Sequence, residues 1–218
     1  MQRINTPTYV RLREQIRADI AAGIWPLGAH ITLAQMVERY EVSLNPVREA
    51  LLHLQGEGII DMQMHRGAVI PTVDATYIAN IYDMRGAIEQ MLAAKVAALA
   101  TPADIERIDA ARLHYEDVVS GDDTGASVAA NREFHRVFNQ VAGNQPAVDV
   151  LGSRSSLVDA LRRSLGYGPQ RKDAVIAQHR KLVAAVRKGD SALAARIALD
   201  HAESARDDLL RMIEIPPH

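Results

Sequence analysis

The chain has 218 residues, 48% of them apolar, with 25 Lys and Arg against 27 Asp and Glu for a formal net charge of −2. That length can bury a real core in one or two domains, and the near-neutral balance argues against a globally basic nucleic-acid protein. Cysteine is absent, which excludes disulfides and thiolate metal sites, and no signal-like N-terminus or long apolar run is found, so a cytoplasmic location with no membrane partner is expected.

The stretch from Ile31 to Val69 is the most organised. Leu33, Ala34 and Val37 share one face of a short helix, and Glu41-Val42-Ser43 make a turn with Val42 pointing inward. A second helix opens with Asn45 as N-cap and Pro46 at N1, where the missing N–H costs nothing. Val47, Ala50, Leu51 and Leu54 recur at helical spacing as its buried face, which leaves Arg48 outward with Asn45 and His53. Gly56 and Gly58 end the helix. Ile59-Ile60-Asp61-Met62 reads as one strand and Gly67-Ala68-Val69-Ile70 as its partner, with His65 and Arg66 at the tip between them. This is the layout of a winged helix-turn-helix, whose second helix enters the DNA major groove. Spacing alone leaves a plain helix pair open. Through residue 73 seven arginines meet seven Asp and Glu, so phosphate contacts would depend on Arg11, Arg48 and Arg66 facing DNA while the acids face away.

After Pro71-Thr72-Val73-Asp74 strand signals vanish, which sets a domain boundary between residues 73 and 74. Helical periodicity runs over 74–100, and Thr101-Pro102 caps a helix over about 102–119. Further helices are expected over about 126–142, 146–165, 171–188 and 191–213, separated by glycine-bearing turns. Six antiparallel helices without long loops make a bundle. The expected fold is mainly α: a winged helix-turn-helix over 1–73 and a six-helix bundle over 74–218.

Within the bundle Asn131 and His135 lie four apart and share a helix face, while His179 and His201 fall on the last two helices. Three imidazoles and one carbonyl oxygen could hold a borderline divalent cation and leave positions open. Without further context, such histidines are more often ordinary core or surface residues. His30, His53, His65, His114 and His218 read as surface or DNA-side groups.

Leu33-Ala34, Val42-Ser43-Leu44-Asn45-Pro46-Val47-Arg48-Glu49-Ala50-Leu51, Leu54, Glu57-Gly58-Ile59-Ile60 and Gly67-Ala68-Val69-Ile70 follow in order the pattern of the GntR family of bacterial transcription regulators, which this half of the chain resembles. Gly23-Ile24-Trp25-Pro26-Leu27-Gly28 matches the turn that family carries between its first two helices. The resemblance implies a homodimer on a palindromic double-stranded DNA operator, contacted by Ser43, Leu44, Asn45, Arg48, His65 and Arg66. Leu44 and Asn45 stand where the family usually has Arg and Thr, which implies an unusual operator. Asn131-Arg132-Glu133-Phe134-His135, Gly143-Asn144, Gln178-His179, Gly189-Asp190 and His201 resemble the ligand-binding FCD domain of the FadR branch, in its six-helix VanR-like form.

That second resemblance implies a zinc or nickel ion held by Asn131, His135, His179 and His201, with Asn131 in place of the commoner Asp and so a weaker, more positive site. It further implies a small organic acid at the metal, with Arg85 beside it and Tyr82 and Arg154 as further effector contacts. For Arg85 an ion pair with Asp83 or Glu89 is the competing reading. Two other functions use the same histidines. One is a metal-dependent hydrolase or oxygenase, which needs a general base that only Glu133 could supply locally. The other is a regulator whose metal is purely structural.

Overall fold

The structure, a computed structural model, describes residues 7–63, 66–153, 155–168 and 170–214. Its contacts divide the chain into two units. The first ends at Val73 and takes in Gly152–Ser164; the second holds Asp74–Leu151 and resumes at Leu165.

The first unit begins with α1 (Thr8–Ala21), whose Leu12, Ile16 and Ile20 recur every fourth residue and are fully buried. A turn follows in which Trp25 Nε1 donates to the Tyr40 hydroxyl at 2.8 Å, and that hydroxyl donates to Asp19 at 2.9 Å. Burial first of all, and the bond to Asp19, push the Tyr40 phenol up to about 12. The short strand β1 (His30–Ile31) leads into α2 (Leu33–Tyr40), which Thr32 and Gln35 open as a capping box. Met36 is the fully buried residue of α2, whereas of the expected face Leu33 and Val37 are only half-buried and Ala34 is exposed. Glu41, in the left-handed region at φ 52°, turns the chain towards α3 (Leu44–Gly56).

The start of α3 corrects the sequence reading. Ser43, extended at φ −71° and ψ 166°, is the N-cap, and Pro46 falls at the third helical position rather than the first. Proline's fixed φ suits any place in a first turn, where the N–H lacks an intrahelical partner, so the proline does not mark the cap. The buried face is Val47, Ala50, Leu51 and Leu54, as the spacing predicts, and it packs on α1 and α2.

The wing strands are β2 (Asp61–Gln63) and β3 (Gly67–Val69), antiparallel, with β1 added on the far side of β3. Ile59 and Ile60 precede β2 rather than belonging to it, and both are fully buried. Gly67 sits at φ +101°, and a Cβ there would lie 2.2 Å from the Ile31 carbonyl oxygen. Only glycine lets β3 pair this closely with β1.

The second unit opens at α4 (Ala75–Leu99), capped by Asp74, whose carboxylate accepts from the Tyr77 N–H at 2.7 Å. In α5 (Pro102–Val119) Thr101 and Asp104 form a capping box with Pro102 in the first turn, and the Thr101 bonds hold the Asp104 carboxyl down at about 2. Next come α6 (Thr124–Gln140) and α7 (Gln145–Ser153). The helix expected over 146–165 is described as α7 and α8 (Ser155–Leu165), either side of Arg154, which lies outside the described residues; α8, up to Ser164, groups with the first unit rather than with the bundle. After α9 (Arg171–Arg187) the chain turns at Gly189 into α10 (Ser191–Glu214). The longest packing seam joins α4 to α10, while α6 and α9 also touch α4 and both flank α5. Leu92, Val96, Phe138, Leu182 and Val186 meet in the shared core. Among the described residues no helix is long and apolar enough to cross a membrane.

Candidate metal centre and nucleic-acid interface

Within the second unit the apolar faces of α6, α9 and α10 bring three histidines together. One ligand atom from each of His135, His179 and His201 lies within 4.8 Å of the others. Their ring centroids stand 5.0–5.2 Å apart. Phe134 stacks on the His179 ring at 4.0 Å, and Tyr115 stands 5.0 Å from it. Burial pushes all three imidazoles below the ordinary histidine range, His179 and His201 well below it. Neighbouring positive charge adds to this: Arg171 acts on all three rings, and Arg85 on His135 and His201. Only Glu89 is found to oppose it, at His135. The rings are therefore neutral near pH 7, the form in which imidazole binds a metal.

Both nitrogens of His179 are buried without a hydrogen-bond partner among the described residues. An unmet buried polar group costs about 1–3 kcal/mol, so this ring calls for a partner with an empty orbital or a proton to give. His201 is oriented for the same task. Its Nδ1 lies 2.8 Å from Gln178 Oε1, and Arg171 Nη1 donates to that oxygen at 3.4 Å and to Ser204 at 2.7 Å. A guanidinium only donates, so the Gln178 oxygen accepts from both sides, Nδ1 of His201 carries the proton, and Nε2 keeps its lone pair. The donor set fits a divalent cation. Asn131 is half-buried one turn before His135 on α6, on the same side of that helix.

Arg85 pairs with Glu89 at 2.8 Å and lies 5.8 Å over the Tyr82 ring. This is the ion pair anticipated as its competing role, yet it is no surface pair: Glu89 is 6% exposed and its charge reaches His135. Asp83 instead meets Arg206 at 3.1 Å. Arg154 lies outside the described residues. Glu133, the local candidate for a general base, is exposed and paired with Arg136 at 2.6 Å. Arg171 and Gln178 had no assigned role in the sequence reading, and Glu89 had one only as a possible ion-pair partner of Arg85, four residues before it. Gln178 had a signal, standing next to His179; the burial of Glu89 and the contacts of Arg171 declare themselves only through tertiary neighbours.

In the first unit Ser43, Leu44, Asn45 and Arg48 are exposed at the start of α3, outside its buried face. His53 is also exposed but stacks on Tyr9, with ring centroids 5.2 Å apart. Arg66 is exposed, and His65 lies outside the described residues. Charge placement resolves the neutral balance. Arg13, Arg17 and Arg39 pair with Glu14, Glu57 and Asp19, while Arg11, Arg48 and Arg66 carry no ion pair among the described residues. Among the described residues of this unit the exposed arginines without an ion pair are therefore Arg11, Arg48 and Arg66, the three that could meet phosphate.

Comparison with known proteins agrees with both halves. Residues 8–70 match the family of bacterial regulatory proteins named gntR, and residues 80–204 match the FCD domain. The chain is 23% identical to the HTH-type transcriptional regulator YdhC of Bacillus subtilis (strain 168), over 96% of this chain and 94% of that one. It is likewise 23% identical to the HTH-type transcriptional repressor RspR of Escherichia coli (strain K12), over 93% and 89%. Among solved structures it resembles E. coli McbR/YncC with a TM-score of 0.82 at 17% identity, covering 96% of this chain and 98% of that one. The family and these relatives are transcription regulators, not enzymes, which sets aside the hydrolase or oxygenase reading. The chain belongs to the GntR family of bacterial transcription regulators, and its second half is an FCD domain.

Proposed function

We propose that the chain acts in the bacterial cytoplasm as a homodimer on a palindromic operator, and that a small carboxylate at a metal site in its FCD domain controls operator affinity. The division would follow the two domains, 1–73 for DNA and 74–218 for metal and effector. The observation that carries the reading is the triad of His135, His179 and His201, in which a buried imidazole is left with both nitrogens unpartnered. His135, His179 and His201 with Asn131 would hold the ion, and imidazole donors favour zinc or nickel over calcium or magnesium. When bound, the ion supplies a positive centre with open positions for an anionic oxygen.

The chain's own groups do the rest. Gln178 and Arg171 hold the His201 tautomer, and Arg85 offers a guanidinium beside the triad, shared with Glu89. Tyr82 lines the same helix. The acid must bind the DNA-incompetent arrangement more tightly than the competent one, because equal affinity shifts nothing. A tenfold loss of operator affinity needs only about 1.4 kcal/mol of such coupling. The connector 71–74 runs straight into α4, which bears Arg85, so a change in that helix reaches the wing through a few residues of chain.

On the DNA side Arg48 is the leading contact, supported by its exposure on α3 and by the lack of an ion pair to it among the described residues. If it contacts a base bidentately, Arg48→Ala should cost about 1–3 kcal/mol at one position of the operator. If it contacts phosphate, all sequences should weaken and the salt slope should fall by about one. A gel-shift series with the full chain distinguishes these, and unchanged affinity would remove α3 from the interface.

A further inference from the structure

The exposed face of α3 carries information about which bases it reads. Leu44 is a large apolar side chain 38% exposed at the first position of the helix. Asn45 follows it, exposed and uncharged, and Ser43 before it makes no side-chain capping bond. Arg48 is one turn on from Leu44, so the two form a single exposed stripe along the edge of the buried face of Val47, Ala50, Leu51 and Leu54, with Asn45 further round on the side away from that face.

In a helix-turn-helix the N-terminal residues of the second helix reach base edges. Each base edge asks for a different partner. Guanine offers two acceptors to an arginine fork; adenine offers a donor and an acceptor to an Asn amide; thymine offers a methyl group to an apolar side chain. A leucine can satisfy only the last, and an exposed Asn has the geometry for the second. Resting on the reading of α3 as the operator-binding helix, we infer that Leu44 and Asn45 read A·T base pairs in each half-site, Leu44 against a thymine methyl and Asn45 against an adenine. The first turn of α3 then contributes no charge to specificity, and Arg48 supplies the cationic contact beside it.

The test uses the full chain and a random-sequence duplex pool, from which bound DNA is selected and sequenced. The enriched duplex is then remade with uracil for thymine, which removes only the methyl group, and with 7-deaza-adenine, which removes only the N7 acceptor. Selection should return A·T pairs at adjacent positions of each half-site. Uracil at one of them should weaken binding about fourfold, as expected for one buried methyl group, and Leu44→Ala should abolish that sensitivity. Loss of the adenine contact should cost about 5- to 150-fold, and Leu44→Arg should move the preference at its position towards guanine. An enriched operator with G·C at these positions, or one indifferent to uracil, overturns the inference while leaving the operator-binding reading standing. A pool with no enrichment overturns that reading and this inference together.

Discussion

Phe134 lies flat against the His179 ring, with centroids 4.0 Å apart and planes 25° apart. Because the imidazole has no hydrogen bond among the described residues, ring contacts orient it: this stack, Tyr115, and the rings of His135 and His201. Phe134→Leu should keep the core filled but free the ring. Supporting groups around a metal site typically matter about 10–100-fold in metal affinity. Zinc binding should weaken by about that amount, from about one ion per chain in the wild type. Elemental analysis and competition with a chelator check both figures, and wild-type affinity in the variant would show that the stack does not position the ligand.

The depressed histidines set a pH dependence for the metal-free protein. Below the ordinary histidine value near 6.5 the unfolded chain takes up protons that folded His135, His179 and His201 refuse. Stability therefore falls as pH drops through the window from about 6.5 downwards, and levels off above it. The lowered carboxyls of Asp104, Asp109 and Glu116 act further down, since their contribution is lost only as pH falls towards their folded values. Urea unfolding after chelation, at pH 7.5 and pH 5.5, should give the lower stability at pH 5.5. His179→Phe should shrink the difference, and equal stability at the two pH values would contradict the neutral-ring assignment.

Gly67 offers a test of the wing. Any side chain there meets the Ile31 carbonyl at 2.2 Å in a left-handed backbone. Gly67→Ala should destabilise by about 1–3 kcal/mol, seen as a lowered thermal midpoint, and should weaken operator binding because β3 can no longer pair fully with β1. The opposite result, a stable variant with normal binding, would mean that the strand shifts without consequence.

On the proposed effector reading, Glu89 and an incoming acid would compete for one guanidinium. Glu89→Gln keeps the side-chain shape and removes the charge that now pairs with Arg85 at 2.8 Å. Acid binding should tighten several-fold, because the carboxylate that holds the guanidinium is gone, and Arg85→Ala should weaken it. Calorimetry with C3–C6 hydroxy, keto and sugar acids reads both. Equal affinity in all three proteins would remove Arg85 from the effector site.

The parts of this architecture that were legible in the sequence are those set by local periodicity. The buried face of α3 and the Thr101-Pro102 cap of α5 follow from spacing and capping chemistry alone. β1 was not legible, because two residues show no alternation and its partner lies almost forty residues away. The cap of α3 was misread because Pro46 fits the third helical position as well as the first. The three histidines were found by their motif, not by spacing. Burial of Glu89 and the bonds of Arg171 to Gln178 and Ser204 depend on how four helices meet, which no local pattern encodes.

The central claim is that occupancy of the histidine site sets operator affinity. Its most direct test is fluorescence anisotropy of a labelled operator with the zinc-loaded full chain, titrated with the acid panel beside His179→Ala. At least one acid should shift wild-type affinity by about tenfold or more, with no shift in the variant. An operator affinity untouched by every acid, or shifted equally in His179→Ala, would contradict it.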